Sequence, residues 1–145
     1  MSKQGFAQDD RQAVEWYRRA SARNFADAQA RLAYLYAAGR GVEQNQVEAA
    51  RLFRRAAEQG NTVAEANLGS IYATGAVGYT KDLIIAYVHI SHAADMGDEL
   101  ARSSLPEIKA RLSSNQSLEG QKLAENWKEK VPWPPEIAER LGPPI

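Results

Sequence analysis

No cysteine occurs in the 145 residues. That excludes disulfide staples, thiolate nucleophiles and cysteine-ligated metal sites together. Histidine is nearly as scarce, with two residues, so no nucleophile–base pair suggests itself. An excess of one charge is missing as well: 18 Lys and Arg balance 18 Asp and Glu, with no block of like sign. The electrostatic footprint for nucleic acid or an anionic membrane is therefore lacking. No apolar run approaches the roughly 18–20 residues of a membrane span. The first ten residues hold no apolar signal-peptide core. By default this places the chain in the cytoplasm, or in the periplasm if the native N-terminus precedes Met1. What remains is a globular composition, 44% hydrophobic and 25% charged, in a chain long enough for one core.

Self-similarity is the main positive signal. The stretch from Ala13 to Ala20 returns as Ala49 to Ala56, an offset of 36, and again as Ala86 to Ala93, an offset of 37. The extra residue falls between Gly75 and Lys81, in a loop, where insertions belong. A second segment repeats in register: Ala28, Leu32, Leu35 and Tyr36 match Ala64, Leu68, Ile71 and Tyr72, and more weakly Ala101, Leu105, Ile108 and Lys109. The spacing within each copy is one stripe of an α-helix, as is that of Ala13, Trp16, Tyr17 and Ala20. Each period thus holds two amphipathic helices. Gly39 and Gly75 follow one type; Gly60 and Gly97 follow the other, with Asn24 at the same point. These residues suit the left-handed backbone that ends many helices. Asp9, Asn45 and Asp82 occupy one aligned position, read as N-caps. The alanines 20, 56, 93 and 28, 64, 101 mark close helix approaches. One hairpin cannot bury both its faces, so hairpins stack into a solenoid. The predicted helices span 9–23, 26–38, 45–59, 62–74, 82–96, 99–112 and 117–130, with no strand.

The run Phe53-Arg54-Arg55-Ala56-Ala57-Glu58-Gln59-Gly60-Asn61, followed by Ala64, Asn67-Leu68-Gly69, Tyr72 and Gly75, resembles the Sel-one-like repeat, a relative of the tetratricopeptide repeats. Gly39-Arg40-Gly41-Val42 with Gln44-Asn45 resembles that family's inter-helix turn. The resemblance covers residues 3–97 and fades through 98–130. It implies an all-α, right-handed superhelical solenoid of antiparallel helix pairs. Residues 1–130 read as one domain: a half repeat 1–24, repeats 25–60 and 61–97, and a degenerate capping pair 98–130. A Pro-rich tail, 131–145, follows. Pro106 stands inside the predicted helix 99–112 and is expected to kink it or delay its start. The chain opens inside a repeat, so helix 9–23 lacks a partner helix and covers Val14, Trp16 and Tyr17 on one side only. Phe6 could supply part of that cover, and self-association through this N-terminal face would supply the rest.

Three clusters invite chemistry, and each has a packing alternative. His89 and His92, with Asp95, have metal-compatible spacing. However, His89 aligns with Trp16 and Leu52, a packed position, and His92 with Arg19 and Arg55, a solvent-facing one; no metal or cofactor is expected. Arg18, Arg19, Arg54 and Arg55 form either an acid-binding ladder or, as preferred here, a solvated face paired with Glu15, Glu48 and Glu58. Trp133 either anchors a partner or, the preferred reading, packs on the last helix.

The resemblance implies a non-enzymatic adaptor for a protein or peptide, held on a concave face lined by the first helix of each pair. Off-stripe positions there are Arg31, Tyr34 and Ala38, then Asn67, Ser70 and Thr74, with Ser104 and Glu107 extending the row. The set is polar and mixed, suited to a peptide or folded loop. Two rivals stand beside this reading. One is a weak hydrolase or ligand-binding protein, akin to cysteine-rich relatives proposed to act on β-lactams, although this chain lacks cysteine and a Ser-x-x-Lys motif. The other is a spacer segment of a longer array.

Overall fold

The structure is a computed structural model, and it describes residues 7–127. Phe6, Trp133 and the rest of residues 131–145 lie outside the described residues. Seven α-helices follow one another: α1 (Gln8–Ala22), α2 (Ala26–Ala38), α3 (Gln46–Glu58), α4 (Thr62–Thr74), α5 (Leu83–Asp95), α6 (Glu99–Arg111) and α7 (Ser114–Trp127). No strand occurs among the described residues. Each helix from α1 to α6 packs on its neighbour in the chain, and α7 packs on α5. This is a stack of antiparallel pairs.

The punctuation of the helices follows from local hydrogen bonding. Three junctions end in the same Schellman motif. The N–H of Phe25, Asn61 and Asp98 donates to the carbonyl of Ala20, Ala56 and Ala93 at 3.2, 3.0 and 3.0 Å. Asn24, Gly60 and Gly97 supply the positive φ between, at 65°, 89° and 95°. The next helix then starts on a capping side chain: Asn61 accepts from the Ala64 N–H and Asp98 from the Ala101 N–H, both at 2.9 Å. Asn45 and Asp82 cap α3 and α5 in the same way. Asp9 departs from this pattern. Helix α1 begins one residue earlier, behind Ala7, so Asp9 and Asp10 lie in its first turn and act on the helix dipole instead.

The long loops are also equivalent. The N–H of Asn45 donates to the Tyr36 carbonyl, and that of Asp82 to the Tyr72 carbonyl, both at 2.9 Å. The second loop spans one more residue, which a 3-10 turn at Ala76–Gly78 absorbs with Val77 at φ 51°. Pro106 neither kinks the chain into two helices nor delays it, since α6 is one element from Glu99 to Arg111. Helix α7 starts three residues before the expected 117. Its start is a capping box in which the Gln116 N–H donates to Ser113 Oγ at 3.1 Å and the Ser113 N–H to Gln116 Oε1 at 2.9 Å.

The core runs along the stack through Leu32, Leu35, Leu68, Tyr72, Ile85, Val88, Ile90, Ile108 and Trp127, all buried. Ala56, Ala64, Ala93 and Ala101 have no exposed surface, so at these points helices meet nearly backbone to backbone. A polar residue recurs at one aligned position in the first helix of each pair; in the first two pairs it ties that helix to the second, and in the last it ties α6 back to α5. Gln29 accepts from Gln59 Nε2 at 2.8 Å. Glu65 meets His92 Nδ1 at 2.5 Å, and Arg102 Nε donates to the Ala94 carbonyl at 3.2 Å.

Candidate partner-binding groove

Helices α2 and α4 are the first members of successive pairs, and depressions open beside them. One, of about 530 Å³, has Tyr17, Leu35 and Phe53 in its floor and Arg31, Tyr34, Val63 and Asn67 on its walls. The second, of about 270 Å³, is bordered by Phe53, Asn67, Ser70, Thr74 and Val77. Phe53 and Asn67 belong to both, so the two form one path across the repeat junction.

Ion pairing settles which wall groups remain available. Arg40, in the loop after α2, grips Asp10 of α1 through Nη2 at 3.0 Å and Nε at 3.4 Å. Asn61 Nδ2 donates to Asp27 Oδ1 at 2.8 Å. Arg31 is exposed and makes no ion pair among the described residues. Tyr34 and Val63 are 54% and 51% exposed. Asn67 gives one amide proton to the Val63 carbonyl at 2.9 Å, which leaves its other proton and its oxygen for a ligand. Ser70 and Thr74 turn their protons back onto the Ala66 and Ser70 carbonyls, at 3.1 and 3.2 Å, and so present acceptors.

Five of the residues singled out from the sequence thus border this path: Arg31, Tyr34, Asn67, Ser70 and Thr74. Ala38, Ser104 and Glu107 border neither depression. Ala38 and Glu107 are exposed, and Ser104 is half-buried with its hydroxyl bonded to the Leu100 carbonyl at 2.8 Å. The Asp10–Arg40 and Asp27–Asn61 pairs on the walls were not legible beforehand, because both partners of each come from different helices or loops.

The histidines form a packed cluster. His89 is fully buried, and Trp127 of α7 stands edge-on to it at 5.3 Å. Burial, then the neighbouring His92 and Arg54, push its pKa down to about 3, so the ring is neutral. His92 is not solvent-facing as expected. Its side chain is 15% exposed, held by Glu65 and covered by Trp127 at 4.4 Å, because α7 docks over this end of α5. Burial raises the Glu65 pKa, with His92 opposing. No group of three or more His, Asp or Glu among the described residues is placed to hold a metal.

The arginines form neither a ladder nor a uniformly solvated face. Arg18 is exposed and meets Glu15 at 3.4 Å and the Tyr36 hydroxyl at 3.2 Å. Arg54 is buried, its side chain 9% exposed and its Nε 3.3 Å from Glu58. The register of α3 turns Arg54 inward, toward the Tyr72 and Tyr79 hydroxyls. No described helix is long and apolar enough to cross a membrane.

Comparison with known proteins agrees with this fold. The Sel1 repeat profile matches residues 3–25, 26–61 and 62–98. A protective antigen of uropathogenic Escherichia coli with an SLR fold superposes with a TM-score of 0.74 at 31% identity, over 90% of this chain. This chain spans 27% of that protein's length. A Sel1 repeat protein from Oxalobacter formigenes gives 0.59 at 36% identity, over 65% of this chain and 70% of its own. A search of curated proteins gave no match. Sel1 repeat scaffolds are typically non-catalytic. With three matched repeats and the same fold, the chain belongs to the Sel1 repeat family, whose members generally mediate protein–protein interaction.

Proposed function

We propose that this chain is a non-enzymatic scaffold that holds an extended segment of a partner protein in the path between α2 and α4. The observation that carries the reading is the joined depression walled by Arg31, Tyr34 and Asn67, in which Arg31 makes no ion pair among the described residues. Each group has a fitting counterpart on a peptide. Arg31 would meet a carboxylate as a charge-assisted pair. The amide of Asn67 would meet a backbone N–H and C=O, while Ser70 and Thr74 accept further donors. Tyr34 and Val63 lend apolar contact at the mouth. The mixture suits an extended segment or loop better than the apolar face of a helix.

The test is selection from a displayed peptide library on the full chain and on the Arg31→Ala/Tyr34→Ala variant, with circular dichroism to show both are folded. The expected outcome is an acidic consensus that binds the parent and loses about tenfold or more on the variant, the effect of one to two anchor residues. A spacer segment would select no consensus. Equal binding by parent and variant would place the site elsewhere.

A further inference from the structure

The same helical position has two different fates along the stack. Leu52 on α3 is 4% exposed and its counterpart His89 on α5 is 0%, whereas Trp16 on α1 is 69% exposed. Ala56 and Ala93 are likewise fully buried, while Ala20 keeps part of its surface open. The interior repeats therefore show that this face is built to be covered. Phe25, 53% exposed, borders one open depression of about 650 Å³ together with Trp16 and Ala20. Two large exposed aromatic rings bordering one depression form an apolar patch of the kind that marks an interface. Arg19 and Arg23 lie 5.9 and 5.4 Å from the Trp16 and Phe25 ring centres, which gives each ring a charged rim.

Charge identifies the occupant. Helix α1 is polarised, with Asp9 and Asp10 in its first turn and Arg18, Arg19 and Arg23 toward its end. Asp10 is engaged by Arg40, and Arg18 by Glu15. Asp9, Arg19 and Arg23 make no ion pair among the described residues. A second α1 laid antiparallel with the two Trp16 rings in contact brings Asp9 opposite Arg23, since each lies seven positions from Trp16. The helix dipoles also oppose favourably in that arrangement. A parallel copy would set acid on acid and Arg on Arg.

We propose that the α1 face is an isologous interface through which two copies of this chain pair antiparallel about an axis at Trp16. Each copy seats its indole in the depression between Trp16 and Phe25 of the other. Such a two-fold contact closes on itself, and its depression shares Tyr17, Asp27 and Arg31 with the groove.

Sedimentation velocity on the full chain, from about 5 to 500 µM, tests this in the range suited to an interface smaller than the standard size. The mass is expected to rise from one 16.0 kDa chain toward two. Trp16→Ala, at an exposed position, is expected to abolish the rise without loss of helical signal. Asp9→Lys and Arg23→Glu should each weaken pairing by about tenfold, and the double variant should restore it. A single mass at every concentration, or a dimer indifferent to Trp16→Ala, would overturn the proposal. Failure of the double variant to restore pairing would overturn the antiparallel register. Acrylamide quenching, read as parent minus Trp16→Ala, adds one more outcome. A monomer whose Trp16 is shielded has this face covered from within its own chain, which also overturns the proposal.

Discussion

Helix α1 is held to the rest of the stack at one unusually tight point, the loop residue Gly41. Its backbone sits at φ +73°, and a β-carbon there would lie 2.3 and 2.4 Å from the Asp10 carbonyl oxygen and carbon and 2.9 Å from the Arg11 nitrogen. All three atoms are backbone of α1, so no side-chain rotation relieves the overlap. Gly41→Ala carries two separable penalties. The left-handed backbone costs about 1–2 kcal/mol for a residue with a β-carbon. The overlap forces α1 away from the loop at the usual overpacking cost of about 1–3 kcal/mol. Gly78 provides the control: its φ is +83°, and a β-carbon there meets nothing within 4 Å. Gly78→Ala should therefore show the backbone penalty alone. Reduced unfolded-state freedom affects both variants alike and cancels. The expected difference is about 1–3 kcal/mol, or roughly 3–9 °C in melting temperature for a chain of this size. Urea and thermal unfolding of both variants measure it. Amide exchange should place the extra loss in residues 8–22, since solenoid repeats respond locally. Equal costs within about 0.5 kcal/mol, near the resolution of such comparisons, would mean that α1 does not rest on the Gly41 loop.

Two further outcomes follow from the core. Ala56→Leu should destabilise by about 1–3 kcal/mol in denaturant melts, because Ala56 has no exposed surface where helices meet; a neutral result would mean that the alanine row is not a contact. Acidification from pH 7 to 5 should cost up to about 2 kcal/mol through His89, whose pKa is about 3 folded against an ordinary 6.5 unfolded. The unfolded chain takes up a proton that the buried ring refuses, so stability is lost as pH falls below 6.5. Glu65 works in the opposite sense, since its raised pKa contributes most below its ordinary value and loses that contribution as pH rises through the raised one. His89→Leu, the residue found at the aligned position 52, should remove the His89 part of the slope; identical slopes for parent and variant would refute the assignment.

Helix number, order and most boundaries were readable because the repeat carries its own punctuation. Gly60, Gly97 and Asn24 mark the same Schellman ends, and Asn45 and Asp82 the same starts. What misled was the assumption that an aligned position has an equal environment. Trp16, Leu52 and His89 share a place in the repeat, but what lies over each depends on the neighbouring helix. His92 is covered because α7 docks on α5, and the alignment contains no trace of that contact. The charge of Arg54 suggests a surface position, whereas its helical phase faces the core and its head group reaches Glu58. In the groove, Arg31, Tyr34 and Asn67 border the depressions, whereas Ser104 and Glu107 border neither, since the degenerate pair α6–α7 does not continue the path.

The recurring polar position at Gln29, Glu65 and Arg102 gives the helices of the stack fixed partners. Each is closed by a differently matched lock: amide to amide within α2–α3, carboxyl to imidazole within α4–α5, guanidinium to carbonyl from α6 back to α5. A single helix moved to another pair would bring the wrong key. Helix α4 paired with a copy of α3 would bury the Glu65 acid without its imidazole, and α6 in the place of α2 would bring a cation to a site shaped for an amide. Helices of similar sequence are thus not interchangeable bricks. The array behaves as an addressed string, in which the unit that can be duplicated or shuffled is the closed pair that keeps its own lock.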